Sequence, residues 1–155
     1  MDTVVYFGTR LPELGLDRLE GGRTTEGGTV EYVARGVAGL RLRRRVVGAS
    51  DFSRAIELLT REPVDALVVD ARGGREAAER LLDALFPPGK MGAPLSRKRV
   101  LALVDAGATE DAFAFGARGI GGVVAAPSAA ELAARLDAML ADRGHGKVAI
   151  CLAGG

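Results

Sequence analysis

The chain alternates short apolar runs with amphipathic segments, which is the pattern of an α/β fold. Apolar runs at residues 4–7, 46–49, 64–70, 100–104 and 119–126 predict five strands. Helical spacing of apolar residues predicts helices that begin near residues 52, 77 and 129, and a fourth helix is expected at 109–118. Continuous apolar strands are typical of parallel sheets that are buried on both faces. The order predicts a doubly wound, five-stranded parallel sheet in a three-layer α/β/α arrangement.

Residues 10–39 interrupt this alternation. Pro12 and five glycines between residues 15 and 28 break any regular period, so the segment predicts an irregular, loop-rich excursion. A short helix is expected at 29–39. Clearer signals return further on, because Pro63 and Pro87 end two helices and Ser128 with Glu131 forms a capping box that opens the last helix.

Composition narrows the classes of function. A net charge of +1 and 5% aromatic residues without tryptophan disfavour binding to nucleic acid. No apolar stretch reaches the roughly 20 residues of a membrane span, and the first residues lack the pattern of a signal peptide. The single cysteine, Cys151, cannot form a disulfide within the chain. We therefore expect a cytoplasmic protein without a transmembrane segment.

Two aspartates are candidates for chemistry. Asp70 ends an apolar strand and precedes a turn at Gly73, and Asp105 follows the next strand. The carboxyl ends of strands in an open α/β sheet are the usual place for a site. Together the two carboxylates could bind a cation weakly; the alternative is that each sets its own turn. The lone His145 lies between glycines, so we predict no catalytic residue and no metal site in this chain.

Residues 46–140 resemble the receiver domain of bacterial two-component response regulators. The matching features are residues 63–65 before the strand that ends in Asp70, the segment 113–119, and Pro127 followed by the helix start at 131–132. The resemblance implies a flavodoxin-like (CheY-like) strand order with Asp70 at the phospho-acceptor position.

The chain departs from receivers at the residues that support phosphorylation. Receivers place an acidic pair after the first strand to hold Mg²⁺, but residues 8–10 are glycine, threonine and arginine. Val104, or Asp105 with a slip of one residue, stands at the family hydroxyl, and Ala126 replaces the family lysine. Transfer of a phosphoryl group to a carboxylate brings anions together, which a metal and a lysine normally neutralise. We therefore predict a pseudo-receiver that has no cofactor; Mg²⁺ would bind only if the chain is a working receiver.

Residues 147–155 resemble the first strand and glycine-rich loop of patatin-like phospholipases. The resemblance implies that Gly154 and Gly155 begin an oxyanion hole, while the G-x-S-x-G nucleophile motif is absent from this chain. We expect residues 1–142 to form the receiver-like domain and 143–155 a linker and the first strand of a following domain. The longer protein would be a patatin-like serine lipid hydrolase that acts on membrane lipids, although this fragment is not itself an enzyme.

Three functions stay open on the sequence. The first is a non-catalytic regulatory module that binds a protein partner or a second copy through residues 120–140. The second is a response-regulator receiver phosphorylated on Asp70 in a phosphorelay, and the third is a flavodoxin-like domain that binds a small ligand. The arginine run at 41–45 is interpreted either as a surface for an anionic partner or as a solvated strand edge that discourages aggregation.

Overall fold

The computed structural model describes residues 1–35, 39–89 and 93–154, with side chains described only as far as residue 141. Single 3₁₀ turns lie at Leu11–Leu14, Leu16–Arg18 and Arg97–Arg99. The strands and helices, in chain order, are β1 (Asp2–Phe7), β2 (Arg23–Thr24), β3 (Val30–Arg35), β4 (Arg41–Ala49), α1 (Phe52–Arg61), β5 (Ala66–Asp70), α2 (Glu76–Leu85), β6 (Val100–Val104), α3 (Thr109–Gly116), β7 (Gly122–Ala125) and α4 (Ala129–Gly154).

These strands form one mixed sheet of seven in the order β2-β3-β4-β1-β5-β6-β7. The five strands from β4 to β7 along the sheet are parallel, and β3 and β2 continue it in antiparallel fashion beyond β4. The predicted α/β class is confirmed, and the order is compatible with a flavodoxin-like fold. The predicted number of five strands is wrong, because two further strands lie within residues 10–39.

The strand β3 occupies most of the segment where a short helix was expected. Val30, Tyr32 and Ala34 are buried, whereas Glu31 and Val33 between them are partly exposed, so the segment has the two-residue period of a strand. Its backbone pairs with β4 from Val30 to Arg35, which satisfies its hydrogen-bonding groups without a helix. The prediction of a helix is therefore wrong for these residues, and residues 36–38 lie outside the described part of the chain.

Apolar side chains are buried against both faces of the sheet. One face packs against α1, α2 and α3, and the other against α4 and the two 3₁₀ turns that follow β1. The stripe of Leu132, Leu136 and Leu140 on α4 is buried in the second core, as its spacing predicted. This stripe belongs to the same buried cluster as side chains of β1, β5 and β6, whose backbones are paired with one another.

The arginine run does not lie on a solvated strand edge, because β4 is an internal strand between β3 and β1. Arg44 is 1% exposed and donates to Tyr32, Asp137 and Asp2. Each of the four arginines has a carboxylate partner: Arg41 with Glu20, Arg43 with Glu31, Arg44 with Asp2 and Asp137, and Arg45 with Glu62. The positive charge of the run is therefore balanced within the chain.

The last helix extends beyond its predicted end. The backbone of α4 is helical through Gly154, whereas the sequence predicted a linker from residue 143 and a strand from residue 147. A helix satisfies its backbone groups internally, but a strand needs a neighbouring strand, and none of the described strands pairs with this segment. Among the helices in the described ranges, none has the combination of length and hydropathy that a membrane span requires.

Candidate functional site

Asp70 lies at the carboxyl end of β5, in the centre of the parallel part of the sheet. On one side β5 pairs with β1, and on the other Asp70 is opposite Leu103 of β6. The direction of chain progression reverses between β1 and β5, which is where open α/β sheets usually place a ligand. The side chain of Asp70 is nevertheless only 3% exposed. The sequence thus predicted the location of Asp70 correctly, but not its burial.

Both carboxylate oxygens of Asp70 are engaged by neighbouring donors. The guanidinium of Arg72 donates from Nε to Oδ1 at 2.9 Å and from Nη2 to Oδ2 at 2.8 Å, which is a bidentate ion pair. The backbone N–H of Arg72 donates to Oδ1 at 3.1 Å, and the hydroxyl of Tyr6 donates to Oδ2. Four hydrogen bonds therefore converge on one carboxylate.

These contacts fix the charge states of the three groups. Burial favours a raised pKa for Asp70, but the hydrogen bonds from Arg72 and Tyr6 outweigh burial and lower the pKa of that carboxyl. Burial, and then the hydrogen bond to Asp70, raise the pKa of Tyr6 well above its usual value. The hydrogen bond to Asp70 raises the pKa of Arg72. At neutral pH the site holds a carboxylate, a protonated phenol and a guanidinium.

Gly8 lies so close to this cluster that no side chain fits there. A Cβ atom at Gly8 would lie 2.7 Å from the Tyr6 hydroxyl oxygen and 2.9 Å from Cβ of Asp70. The backbone N–H of Arg10 also donates to the Tyr6 hydroxyl at 3.1 Å, which ties the loop after β1 to the cluster. The resemblance to receivers implies that this loop corresponds to the one that carries their acidic pair. The arrangement of Tyr6 and Asp70 excludes a carboxylate at Gly8.

Asp105 is engaged with the same loop as Asp70, but through a different residue. The backbone N–H of Gly73 donates to Oδ2 of Asp105 at 2.7 Å. Gly73 has a φ of +85°, a left-handed conformation that favours glycine, so this short turn suits the sequence. The sequence left open a weak cation site or two turn residues, and in the structure each of the two carboxylates accepts a backbone N–H of the 72–73 turn. Within the described residues, no group of three or more His, Cys, Asp or Glu side chains is close enough to hold a metal ion.

On the resemblance to receivers, Val104 or Asp105 stands at the family hydroxyl and Ala126 stands at the family lysine. Val104 is buried at the end of β6 and accepts a backbone hydrogen bond from Ala126 at 2.8 Å. Ala126 has a φ of +39°, which is left-handed and strained for a residue with a Cβ atom. Its methyl group supplies no charge that could reach a phosphoryl group at Asp70.

The remaining candidates are the two glycines at residues 154 and 155. Gly154 is the final described residue of α4, and Gly155 lies outside the described residues. The assignment of these two glycines to an oxyanion hole therefore stays a prediction.

Sequence reasoning missed the two residues that define the site, Tyr6 and Arg72. A signal for Tyr6 existed in the strand pattern. Tyr6 is opposite Val68 in the register of β1 and β5, and the alternation of side chains puts Asp70 on the same face as Val68. Arg72 lies two residues after Asp70, which is within reach of a bidentate pair across a turn. The signal for Tyr6 needed the strand register before it could be read, whereas the signal for Arg72 is local to the turn.

Comparison with protein-family models and with curated proteins finds no match to this chain. A proposal of function therefore rests on the residues and the geometry described above.

Proposed function

We propose that this chain is a cytoplasmic pseudo-receiver, a flavodoxin-like domain that regulates or assembles by contact and does not transfer phosphoryl groups. On the resemblance of residues 147–155, the protein that it regulates is a patatin-like lipid hydrolase in the same polypeptide. The observation that supports this proposal most strongly is the bidentate pairing of Asp70 with Arg72, together with the hydrogen bond from Tyr6.

A phospho-accepting carboxylate needs a free oxygen that can approach phosphorus. In this chain one oxygen of Asp70 receives two donors from Arg72, and the other receives the second guanidinium N–H and the Tyr6 hydroxyl. Attack would require the ion pair to break in a site where the side chain is 3% exposed, so the carboxylate would lose its partners with little water to replace them. The geometry stabilises the unmodified carboxylate.

The surroundings also offer little to stabilise the phosphoryl group. Magnesium prefers several oxygen ligands in octahedral geometry, and Gly8 has no room for the side chain that would supply one. Ala126 carries no cation at the position of the receiver lysine. In this proposal the chain keeps a receiver-like framework, and Arg72 takes the place of an external cation beside Asp70.

The partner surface in this proposal comprises residues 120–140. β7 is an edge strand of the sheet, and the exposed side of α4 carries small side chains, among them Ala130, Ala134 and Ala138. Phe113 on the neighbouring α3 is 79% exposed, which is unusual for a large apolar side chain. An accessible strand edge beside small and aromatic side chains suits contact with a protein. Static light scattering tests whether the partner is a second copy. A mass that rises with concentration and falls in Ala134→Arg supports a second copy, and a constant monomer mass leaves a partner protein.

Intact-mass spectrometry after incubation with acetyl phosphate and Mg²⁺ tests the central proposal. We expect no mass increase for the wild-type chain or for Asp70→Asn, because the Asp70 oxygens are already bonded. A stoichiometric phosphoryl adduct that disappears in Asp70→Asn would overturn the proposal and establish a working receiver. A well-behaved receiver domain treated in the same tube shows that the reagent is active.

A further inference from the structure

A second concave site lies at the end of the parallel strands that is opposite to Asp70. It is an open cleft of about 720 Å³ at the amino ends of β6 and β7. Its walls are the 3₁₀ turn Arg97–Arg99, Gly121 immediately before β7, and the second half of the described α4. Its size is that of a small-molecule site. Since Asp70 lies at the carboxyl end of β5, the cleft is separate from the site already described.

The lining of this cleft is basic. Lys98, Arg99 and Arg135 line it, and none of its described lining residues is acidic. Arg99 donates from Nη1 to the backbone carbonyl of Met139 at 2.8 Å, which holds its guanidinium against α4. Within the described side chains, Lys98 and Arg135 form no ion pair with a carboxylate. In contrast to the arginines of β4, each of which is paired inside the chain, Lys98 and Arg135 therefore keep their charge available to a ligand.

The guanidinium of Arg135 lies close to the backbone of β7. A Cβ atom at Gly122 would lie 2.4 Å from Nη2 of Arg135, so the absence of a side chain there lets the guanidinium lie against the start of β7. A Cβ atom at Gly121 would lie 2.3 Å from the backbone carbonyl oxygen of Lys98, so glycine also lets the two walls approach. Cationic groups that are already held in place lose less entropy when they bind an anion.

We propose that this cleft binds a phosphate monoester through Lys98, Arg99 and Arg135. Guanidinium and ammonium groups match the charge and the acceptor oxygens of a phosphate dianion. The hydroxyl of Ser96 accepts from the backbone N–H of Lys98, so its proton is available for a phosphate oxygen. Leu101 and Met139 add apolar wall for the organic part of the ligand. The phosphate belongs either to a soluble organic phosphate or to a lipid headgroup.

Titration of the 155-residue chain with inorganic phosphate, followed by amide NMR at low ionic strength, tests the proposal. We expect saturable binding in the millimolar range, with shifts at the amides of residues 96–99 and 121–122, that weakens as salt is added. Arg135→Gln and Lys98→Gln should each weaken binding by about tenfold, because each removes a charged hydrogen bond. Arg18→Gln is the matched control, since Arg18 is exposed on another 3₁₀ turn, and it should leave the affinity unchanged.

Vesicle sedimentation then distinguishes the two sources of phosphate. Binding to phosphatidylcholine vesicles that contain phosphatidic acid, but not to phosphatidylcholine alone, indicates a lipid headgroup when Arg135→Gln abolishes it. Binding of inorganic phosphate without vesicle binding indicates a soluble organic phosphate. The proposal is wrong if phosphate shows no saturable shift at the cleft, or if Arg135→Gln and Arg18→Gln, both with wild-type amide spectra elsewhere, bind equally well.

Discussion

Replacing Arg72 with glutamine should lower the free energy of unfolding, because it leaves the buried carboxylate of Asp70 without its cation. Removing one partner of a buried ion pair typically costs about 3–5 kcal/mol. Asp70 is 3% exposed and Arg72 is 15% exposed, and Asp70 keeps the Tyr6 hydroxyl and the backbone N–H of residue 72. The remaining donors reduce the loss, so we expect about 2–3 kcal/mol. For a chain of this size that corresponds to a decrease in Tm of about 5–10 °C.

Urea unfolding of a double-mutant cycle measures this coupling. Arg72→Gln leaves a buried carboxylate without a cation, whereas the double variant Arg72→Gln with Asp70→Asn removes both charges. The double variant should therefore lose less free energy of unfolding than the two single variants together, by about 1–2 kcal/mol. Arg54→Gln is the control, because the pair between Arg54 and Glu57 is about half exposed, and it should cost less than about 1 kcal/mol. Strict additivity of the two site variants, or an Arg72→Gln loss no larger than that of Arg54→Gln, would refute the reasoning.

Three further predictions concern charge, pH and backbone strain. Arg44→Met should lower the free energy of unfolding in urea by about 2–4 kcal/mol, because Arg44 is 1% exposed and its two carboxylate partners lose their cation. Arg41→Met, at an exposed ion pair, should lower it by less than about 1 kcal/mol. Equal losses in the two variants would contradict this prediction. The pKa of Asp70 is lower in the folded chain than in the unfolded one. The Asp70 carboxylate therefore stabilises the fold above about pH 4, and this stabilisation is lost as the pH falls through the folded-state pKa. Asp70→Asn should flatten the acid dependence of the free energy of unfolding, and an unchanged dependence would contradict this prediction. Ala126→Gly should raise the free energy of unfolding by about 0.5–1 kcal/mol, because the left-handed φ of +39° suits glycine. A lower Tm for this variant in thermal unfolding would show that the strain is absent.

The parallel part of the sheet was predictable because its signals are local. Continuous apolar runs, the prolines that end helices and the capping box at Ser128 each act within a few residues, and the capping hydrogen bonds between Ser128 and Glu131 are present in the structure. The antiparallel strands β2 and β3 were missed because β3 is defined by its pairing with β4. In that pairing Glu31 lies opposite Arg45 and binds Arg43, so charged residues that look solvated in the sequence stabilise an interior strand pair.

The candidate site was predictable only in its position. An apolar strand that ends in Asp70 places a carboxylate at the carboxyl end of a strand in any α/β arrangement. What the carboxylate can do depends on Tyr6, which is 64 residues away in sequence and is brought close by the pairing of β1 with β5. The same contact explains Gly8, whose lack of a side chain looks like a simple loss in the sequence and is a packing requirement in the structure.

The most direct test of the account is an amide NMR titration of the wild-type chain with beryllofluoride and Mg²⁺. Beryllofluoride imitates a phosphoryl group on an aspartate without requiring a phosphodonor, so it reports on whether the Asp70 carboxylate is available. If Arg72 and Tyr6 hold that carboxylate, the amides of residues 70–73 and 105 will not shift. Saturable shifts at those amides that require Mg²⁺ and vanish in Asp70→Asn would contradict the account.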